Sequence, residues 1–431
     1  MSGEAVVCRI SVRPHFNEKY TNIQLGQCLG HDVIVGKAVQ EGELGIYFDT
    51  DSQLSEKFCL DNGLLRKHPV TGEQLGGYLE TSRRVRAIKL CEIKSDGLWL
   101  PLASLSGVDT SVLKEGDRFQ SLAGVDIVQK YYTPATARAL FRGGSQQARP
   151  TFPKHYETPK LKELINLLHP PFTYIVTEKL HGTSQRQAYQ LEDYTTVVPW
   201  KFVEENGGLV CATTTEKRWQ HLLGTRNVVI GKILGGDFVT KESYRSFWAN
   251  KLKHLIHKNE VLYYEIVGYS EGGTPIMGDQ PTSRLKNKEM EEKYGSTMHY
   301  SYGCAAGNSQ AYLYRVVIVN EDGKQFEMPW DYVSKRAVEL GIPLVPVLKI
   351  QSMLNFDDDY NKTLIKNLGE EMEQLCVGPS TLCHTHIREG VCLRVEGPRG
   401  IRVMKHKSWD FGVLEGYLKE NDDYVDSEEV S

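Results

Sequence analysis

The sequence predicts an α+β protein: a small β-barrel at the N-terminus, followed by a larger domain of antiparallel sheets mixed with helices. Two observations carry this. From about Val6 to Leu105 the chain runs in short β-type stretches, such as Val33-Ile34-Val35-Gly36 and Leu44-Gly45-Ile46-Tyr47-Phe48, set apart by Gly and Asp/Asn turns. Beyond Phe152, strand-like runs mix with segments of helical spacing. The 431 residues suffice for about two to three domains at roughly 100–200 residues each, and so for a sizeable core. No internal repeat organises the chain.

Taken in order, Ser82 to Leu90 and Lys94 to Leu102 read as alternating strands around the turn Ser95-Asp96-Gly97. From Ser106 to about Thr151 the patterning weakens, and Gly143-Gly144-Ser145-Gln146-Gln147 suggests a linker or surface excursion. Pro159 to Leu168 reads as a short amphipathic helix, begun by proline and stopped before Pro170-Pro171. It leads into the buried strand Phe172-Thr173-Tyr174-Ile175-Val176. Behind a Ser243 cap, Tyr244, Phe247, Trp248, Leu252 and Leu255 fall at helical spacing, a stripe expected in the core. The expected organisation is a barrel module at 1–110, a linker at 111–151, the mixed domain at 152–411 and an acidic tail at 412–431.

Composition narrows the function classes. No run of about 18 apolar residues exists, and Met1-Ser2-Gly3-Glu4-Ala5-Val6 lacks the order of a secretion signal, so neither a membrane span nor secretion is expected. The nine cysteines, many inside apolar runs (Cys8, Cys91, Cys392), include no Cys-x-x-Cys pair. Reduced thiols and a cytoplasmic or nuclear compartment follow. Cys383-His384-Thr385-His386 lacks a second ligand pair at finger spacing, which argues against structural zinc. The net charge of −4 disfavours a nucleic-acid partner at first sight. Much of it comes, however, from the terminal acids Glu415, Glu420, Asp422, Asp423, Asp426, Glu428 and Glu429, in a segment with too little apolar surface to fold. Arg83, Arg84, Arg86 and Lys89 meanwhile cluster in the N-terminal region, either as a local basic patch or as a solvated strand face.

Four segments carry charges where strands should be buried. Lys179, in Thr177-Glu178-Lys179-Leu180-His181-Gly182-Thr183, follows the apolar run that starts at Phe172, and a desolvated amine there can act as a nucleophile. Glu265 is a lone acid within Val261-Leu262-Tyr263-Tyr264-Glu265-Ile266-Val267-Gly268, expensive unless it binds something. Glu389 opens the alternating segment Arg388-Glu389-Gly390-Val391-Cys392-Leu393-Arg394-Val395. Lys405 and Lys407 lie two apart in Ile401-Arg402-Val403-Met404-Lys405-His406-Lys407, and a strand aims both at one face, as an anion-binding pair. A nucleophilic lysine, two carboxylates and a lysine pair form a coherent set for attack on a nucleotide α-phosphate.

In this order the segments resemble the covalent nucleotidyltransferase superfamily of DNA ligases, RNA ligases and mRNA-capping enzymes, and within it the ATP-dependent RNA ligases. Glu178-Lys179-Leu180-His181-Gly182-Thr183 resembles the nucleophile motif, and Tyr264-Glu265-Ile266-Val267-Gly268 the ribose- and metal-side motif. Glu389-Gly390-Val391-Cys392-Leu393-Arg394 resembles the metal-binding motif, and Val403-Met404-Lys405-His406-Lys407-Ser408 the final phosphate-binding motif. DNA ligases and capping enzymes usually carry Asp where this chain has His181, whereas Lys-x-His-Gly is similar to RNA ligases that seal 3′ ends. The N-terminal region, ahead of the nucleophile, resembles the OB-like module of one RNA ligase subgroup.

The resemblance implies an OB-like barrel followed by a ligase-type nucleotidyltransferase domain. It implies catalytic roles for Lys179, His181, Lys405 and Lys407, and ATP contacts from Glu178, Arg226, Glu265, Lys405, Lys407 and either Tyr312 or Tyr314, which share a face of one strand. Glu265 and Glu389 are the expected acids for Mg2+ or Mn2+, and Arg186 is a weaker candidate for phosphate contact. The expected partners are RNA ends, in a nicked or bridged duplex or free, acted on by a monomer. A GTP-dependent capping-type transferase and a non-catalytic RNA-binding protein of the same fold are the alternatives.

Overall fold

The structure, a computed structural model, describes residues 3–50, 52–132, 150–203, 208–230, 232–234 and 236–415. Two antiparallel sheets form the larger part. One orders its strands Val347–Met353, Phe172–Lys179, Gly390–Gly397 and Gly400–Lys407. The other orders Gly208–Gly224, Thr183–Val203, Glu260–Gly268, Ser309–Val319 and Gln325–Glu327. The alternation of the first sheet sorts its side chains. Phe172, Tyr174, Val176, Val391, Leu393, Val395 and Met404 face the helix Asp358–Cys376 and pack on its Ile365, Leu368, Met372 and Cys376. The opposite parity, which includes Ile175, looks toward the second sheet, where Leu262, Tyr264 and Ile266 meet the helix Trp330–Leu340 through Trp330, Val333, Ala337 and Leu340. The mixed α+β expectation thus holds, with strands paired antiparallel.

The N-terminal residues build smaller sheets. Ala5–Arg9 pairs with Leu44–Phe48 and with Arg118–Phe119, and Leu44–Phe48 pairs with Leu98–Pro101. Ser11–Pro14, Ile23–Cys28 and His31–Gly36 form a three-stranded meander. Among the described residues these pairings close no barrel. Val128–Lys130 also pairs back, onto Ser52–Leu54, so the part of the expected linker before residue 131 is integrated into the N-terminal sheets. Gly143 to Gln147 and the tail from residue 416 on lie outside the described residues.

Three local expectations are corrected. The hairpin of Ala87–Leu90 and Ile93–Asp96 turns at Cys91 and Glu92, both at left-handed φ, and not at Ser95-Asp96-Gly97. Gly97 instead marks a close approach: a Cβ there would lie 2.5 Å from the Tyr47 ring at φ +134°. The helix expected from Pro159 is reduced to Leu161–Leu164 and a 3-10 turn at Ile165–Leu167, because Lys160 is extended and the Pro159 carbonyl accepts from Lys405 N (2.9 Å). Tertiary strand pairing outweighs local helix propensity here. The helix Ser243–Leu252 is capped at Glu242, not Ser243; it buries Trp248 and Leu252 but leaves Phe247 56 % exposed and Leu255 exposed. Its Arg245 is buried instead, donating to Thr183 Oγ1 and to the Ser184 carbonyl, so the helix serves the second sheet by a polar anchor.

Charges dock the N-terminal sheets on the rest. Lys160 meets Asp49 at 3.1 Å, Lys162 meets Asp96 at 3.5 Å, and the Lys94 ammonium lies 4.9 Å from the Trp409 ring centre. Burial pushes the Asp96 carboxyl up, but the hydrogen bond and charge of His31, with Lys162 and Lys160, hold it well below the usual carboxylate range. Of the expected basic cluster, Arg84 is buried over the Tyr131 ring and Arg83 pairs with Glu56. Among the described residues no helix is long and apolar enough to cross a membrane, and the cysteines form no disulfide.

Candidate active site

The inner faces of the two sheets leave a cleft of about 910 Å³, counted to its open mouth. Strand parity decides its walls. Thr177, Lys179, Cys392, Arg394, Val403 and Lys405 line it from the first sheet; Ser184, Glu265, Tyr314 and Arg315 line it from the second. His155, Tyr156 and Arg226 complete it from the segments alongside. Five cationic side chains and two carboxylates therefore face this space, which suits an anionic ligand. Arg315 and Arg394 are compensated by Glu327, and Arg394 also by Glu396 at 2.6 Å.

Register brings the sequence-distant motifs together. Lys179 pairs with Gly390, Gly390 with Lys407, and Cys392 with Lys405. Gly390 is required by that closeness: a Cβ there would sit 2.1 Å from the His406 carbonyl oxygen. Gly182 is required in the same way, its Cβ position lying 2.6 Å from the Ile266 carbonyl oxygen and 2.9 Å from Glu265 Cγ. The Lys179 ammonium, 13 % exposed, meets Glu389 Oε1 at 2.7 Å, and Lys407 meets the same oxygen at 3.0 Å. Glu389 itself is fully buried. Lys407 and Glu389 thus stand behind Lys179 rather than on the cleft wall, whereas Lys405 stands on it.

Glu178, of the opposite strand parity to Lys179, is the second carboxylate that lines the cleft. Its Oε2 accepts from Thr381 N (2.9 Å) and Thr381 Oγ1 (2.6 Å), while Oε1 is buried with no hydrogen-bond partner among the described residues. Glu265 pairs across the sheet with Ser184 and Tyr312. The simple alternation that would put Tyr312 and Tyr314 on one face is broken by a bulge. Tyr263 pairs with Arg315 but Tyr264 with Leu313, so Tyr314 has no opposite residue. Tyr314 lines the cleft with its hydroxyl 2.8 Å from Ser184 Oγ, and Tyr312 packs in the core. Arg186 is not a cleft residue: it lies over the Phe152 ring, donates to the Pro153 carbonyl, and burial lowers its guanidinium to about 10.

His181 is buried. Its N–H donates to the Tyr302 hydroxyl (2.6 Å), and its ring meets Tyr300 and Phe411 edge-on. Its Nδ1 lies 3.4 Å from Glu415 Oε1 and 3.9 Å from Glu389 Oε2. Glu415, expected in a disordered tail, is therefore inside this cluster; sequence reading missed it, along with Arg315, Arg394 and Thr381. Arg394 carried a signal, being a charge of the same strand parity as Gly390. Among the described residues no group of three or more His, Cys, Asp or Glu is placed to hold a metal ion, and His386 is a buried core histidine beside Tyr300 and Tyr302.

A family model described as RNA ligase matches residues 172–407. No curated protein matches the chain. Solved structures of Naegleria gruberi RNA ligase share the fold. One lysine-to-alanine variant with ATP and Mn has TM-score 0.57 at 16 % identity, covering 94 % of this chain and 96 % of that one. A second such variant with ATP and Mn has TM-score 0.58 at 17 % identity, covering 97 % and 100 %.

Proposed function

The chain belongs to the RNA ligase family, and from that membership we propose that it joins RNA 3′-hydroxyl and 5′-phosphate ends with ATP through a covalent lysyl-AMP at Lys179. The observation that carries this reading is the placement of Lys179, a nearly buried ammonium at a strand end on the wall of a cationic cleft, backed by Glu389 and Lys407. The Naegleria structures with ATP and Mn support the nucleotide and the cation.

In the first step the Lys179 amine bonds to the α-phosphorus, and the bond to pyrophosphate breaks. A protonated amine has no lone pair to attack with, so the Lys179–Glu389 contact is a resting one. Lys407 on the same Glu389 oxygen keeps that buried carboxylate compensated when Lys179 turns to the nucleotide. Lys405 and Arg226 take the phosphates from the cleft wall. Glu178 Oε1, a buried acceptor with no hydrogen-bond partner among the described residues, accepts from the adenine amino group, and Tyr314, the tyrosine on the cleft wall, stacks on the ring. Glu265 on the cleft wall would be the direct oxygen donor to Mg2+ or Mn2+, and Glu389, fully buried behind Lys179, would act on it through water, with phosphate and water completing the shell. A cation held there would supply neutralisation of charge on the departing pyrophosphate. AMP then passes from Lys179 to the RNA 5′-phosphate, and the RNA 3′-hydroxyl displaces it; His181 serves these later steps. The N-terminal sheets act as an OB-like module that selects the RNA strand.

The test is covalent labelling. The purified chain, with Mg2+ or Mn2+ and α-labelled ATP, retains label through denaturing electrophoresis. Label from GTP alone moves the protein to the capping type, and no label with either nucleotide across several divalent metals makes it a non-catalytic RNA binder.

The two lysines of the last motif separate in the same assay. Lys405→Ala removes a cleft cation and weakens ATP binding by about ten- to hundredfold, the worth of one charge-assisted hydrogen bond. Lys407→Ala, facing Glu389 and Glu415, slows adenylation with a smaller effect on ATP affinity. Calorimetric titration with ATP checks this, and equal affinity losses in the two variants would refute the division.

A further inference from the structure

We propose that Glu415 is a positioning residue of the adenylation site, holding Lys407 and His181 through one buried carboxylate. This rests on the ligase reading of the cleft. The Glu415 side chain is 2 % exposed, with Oε1 3.4 Å from His181 Nδ1 and Oε2 3.4 Å from Lys407 Nζ. It lies beyond the region that the family model matches, on the chain that turns back after the last strand.

The return is built, not incidental. Ser408 donates its N–H to the Glu389 carbonyl (2.9 Å) and its hydroxyl to the Arg388 carbonyl, and it caps the helix Trp409–Leu414 through Phe411 N. Phe411 lies against the His181 ring and 5.6 Å below the Lys407 ammonium. Arg284 fastens the end of the helix by donating to the Leu414 carbonyl, and Glu415 N closes on the Phe411 carbonyl. The chain thus delivers one carboxylate to a fixed point behind the nucleophile.

Charge explains why it is needed there. Lys179 and Lys407, with side chains 13 % and 24 % exposed, both meet Glu389 Oε1, so two positive charges converge on one carboxylate oxygen in a largely desolvated place. Glu415 supplies the second acid. Lys407 is then held from two sides, at 3.0 Å by Glu389 and 3.4 Å by Glu415, and stays in place when Lys179 leaves to attack. Without Glu415 the site becomes more cationic, so ATP still binds, but Lys407 and His181 lose their direction.

The experiment compares wild type, Glu415→Gln and Glu415→Asp as full-length chains. Lysyl-AMP formation is followed under single turnover at saturating ATP, and the ATP Kd is measured by calorimetry. Glu415→Gln keeps the volume and removes the charge; its adenylation rate falls about tenfold or more, as expected for losing charge-assisted contacts, while its Kd stays within about twofold or tightens. Glu415→Asp recovers part of the rate. A wild-type rate in Glu415→Gln, a Kd that weakens in step with the rate, or an Asp variant no better than Gln each overturns the assignment. Failure of wild type to form the adduct overturns the ligase reading itself, so the two failures are distinct.

Discussion

Lys179→Ala forms no covalent nucleotide adduct, yet stays folded and still seals RNA that already carries a 5′-5′ AMP cap. The amine acts as nucleophile only in the first step, so its loss removes that step and leaves displacement of AMP to the rest of the site. Structure argues that the fold survives. Truncating one member of a buried ion pair costs about 3–5 kcal/mol when the other charge is stranded. Glu389 is not stranded here, because Lys407 remains 3.0 Å from the same oxygen. The melting temperature should therefore fall by no more than about the few degrees that 1 kcal/mol produces in a domain of this size. Labelling with α-labelled ATP, thermal melting and a sealing assay on pre-adenylylated RNA check the three parts. An adduct of normal yield in Lys179→Ala would place the nucleophile elsewhere and end the assignment.

The site was legible in the sequence where a charge interrupts a strand. Lys179, Glu265, Glu389, Lys405 and Lys407 all sit in apolar or alternating runs, where burial would be costly without a partner, and the structure gathers them around one cleft. What sequence could not give was the depth of each. Lys405 and Lys407 have the same parity, but the strand end carries Lys407 past the cleft to Glu389 and Glu415. Tyr312 and Tyr314 also share parity on paper, and one bulge opposite Tyr263 and Tyr264 separates them. Glu415 was missed because it was grouped with the acids from Glu420 onward, although Val413, Leu414, Tyr417 and Leu418 lie beside it; the Ser408-capped helix, which buries Phe411 and Leu414, turns it inward. The short helix before Phe172 was over-read for the opposite reason. Its local pattern is helical, but Lys160 is needed as a strand partner of Lys405. Local signals were thus reliable for which residues are unusual, and unreliable wherever a distant strand competes for the backbone.

Glu260→Ala is expected to be the most destabilising single change outside the cleft, at about 3–5 kcal/mol. Glu260 opens the strand that ends near Glu265, and its carboxylate is gripped at both oxygens by Arg336, at 2.7 and 2.9 Å. The side chains are 0 % and 4 % exposed, so neither charge can be rescued by water. Arg336 also donates to the Leu255 carbonyl and to Glu339, the latter at 2.6 Å, and so ties the helix Trp330–Leu340 to the start of the second sheet's central strand. Removing Glu260 leaves a buried guanidinium whose remaining acid partner among the described residues is the exposed Glu339. The pair as a whole contributes much less than this figure, since desolvating two ions offsets most of their attraction. Glu260→Leu/Arg336→Met should accordingly be less destabilised than Glu260→Ala alone. Urea unfolding of Glu260→Ala, of Glu260→Leu and Arg336→Met singly, and of the double variant decides between the accounts. A double variant as unstable as the sum of its single changes would mean that the bond itself, and not the stranded charge, holds the helix to the sheet. In either case the Glu265 end of the strand is expected to keep its place, because Gly182 packs against it and Ser184 and Tyr312 pair across it. Adenylation measured well below the unfolding transition should therefore be little changed, which separates a loss of stability from a loss of site geometry.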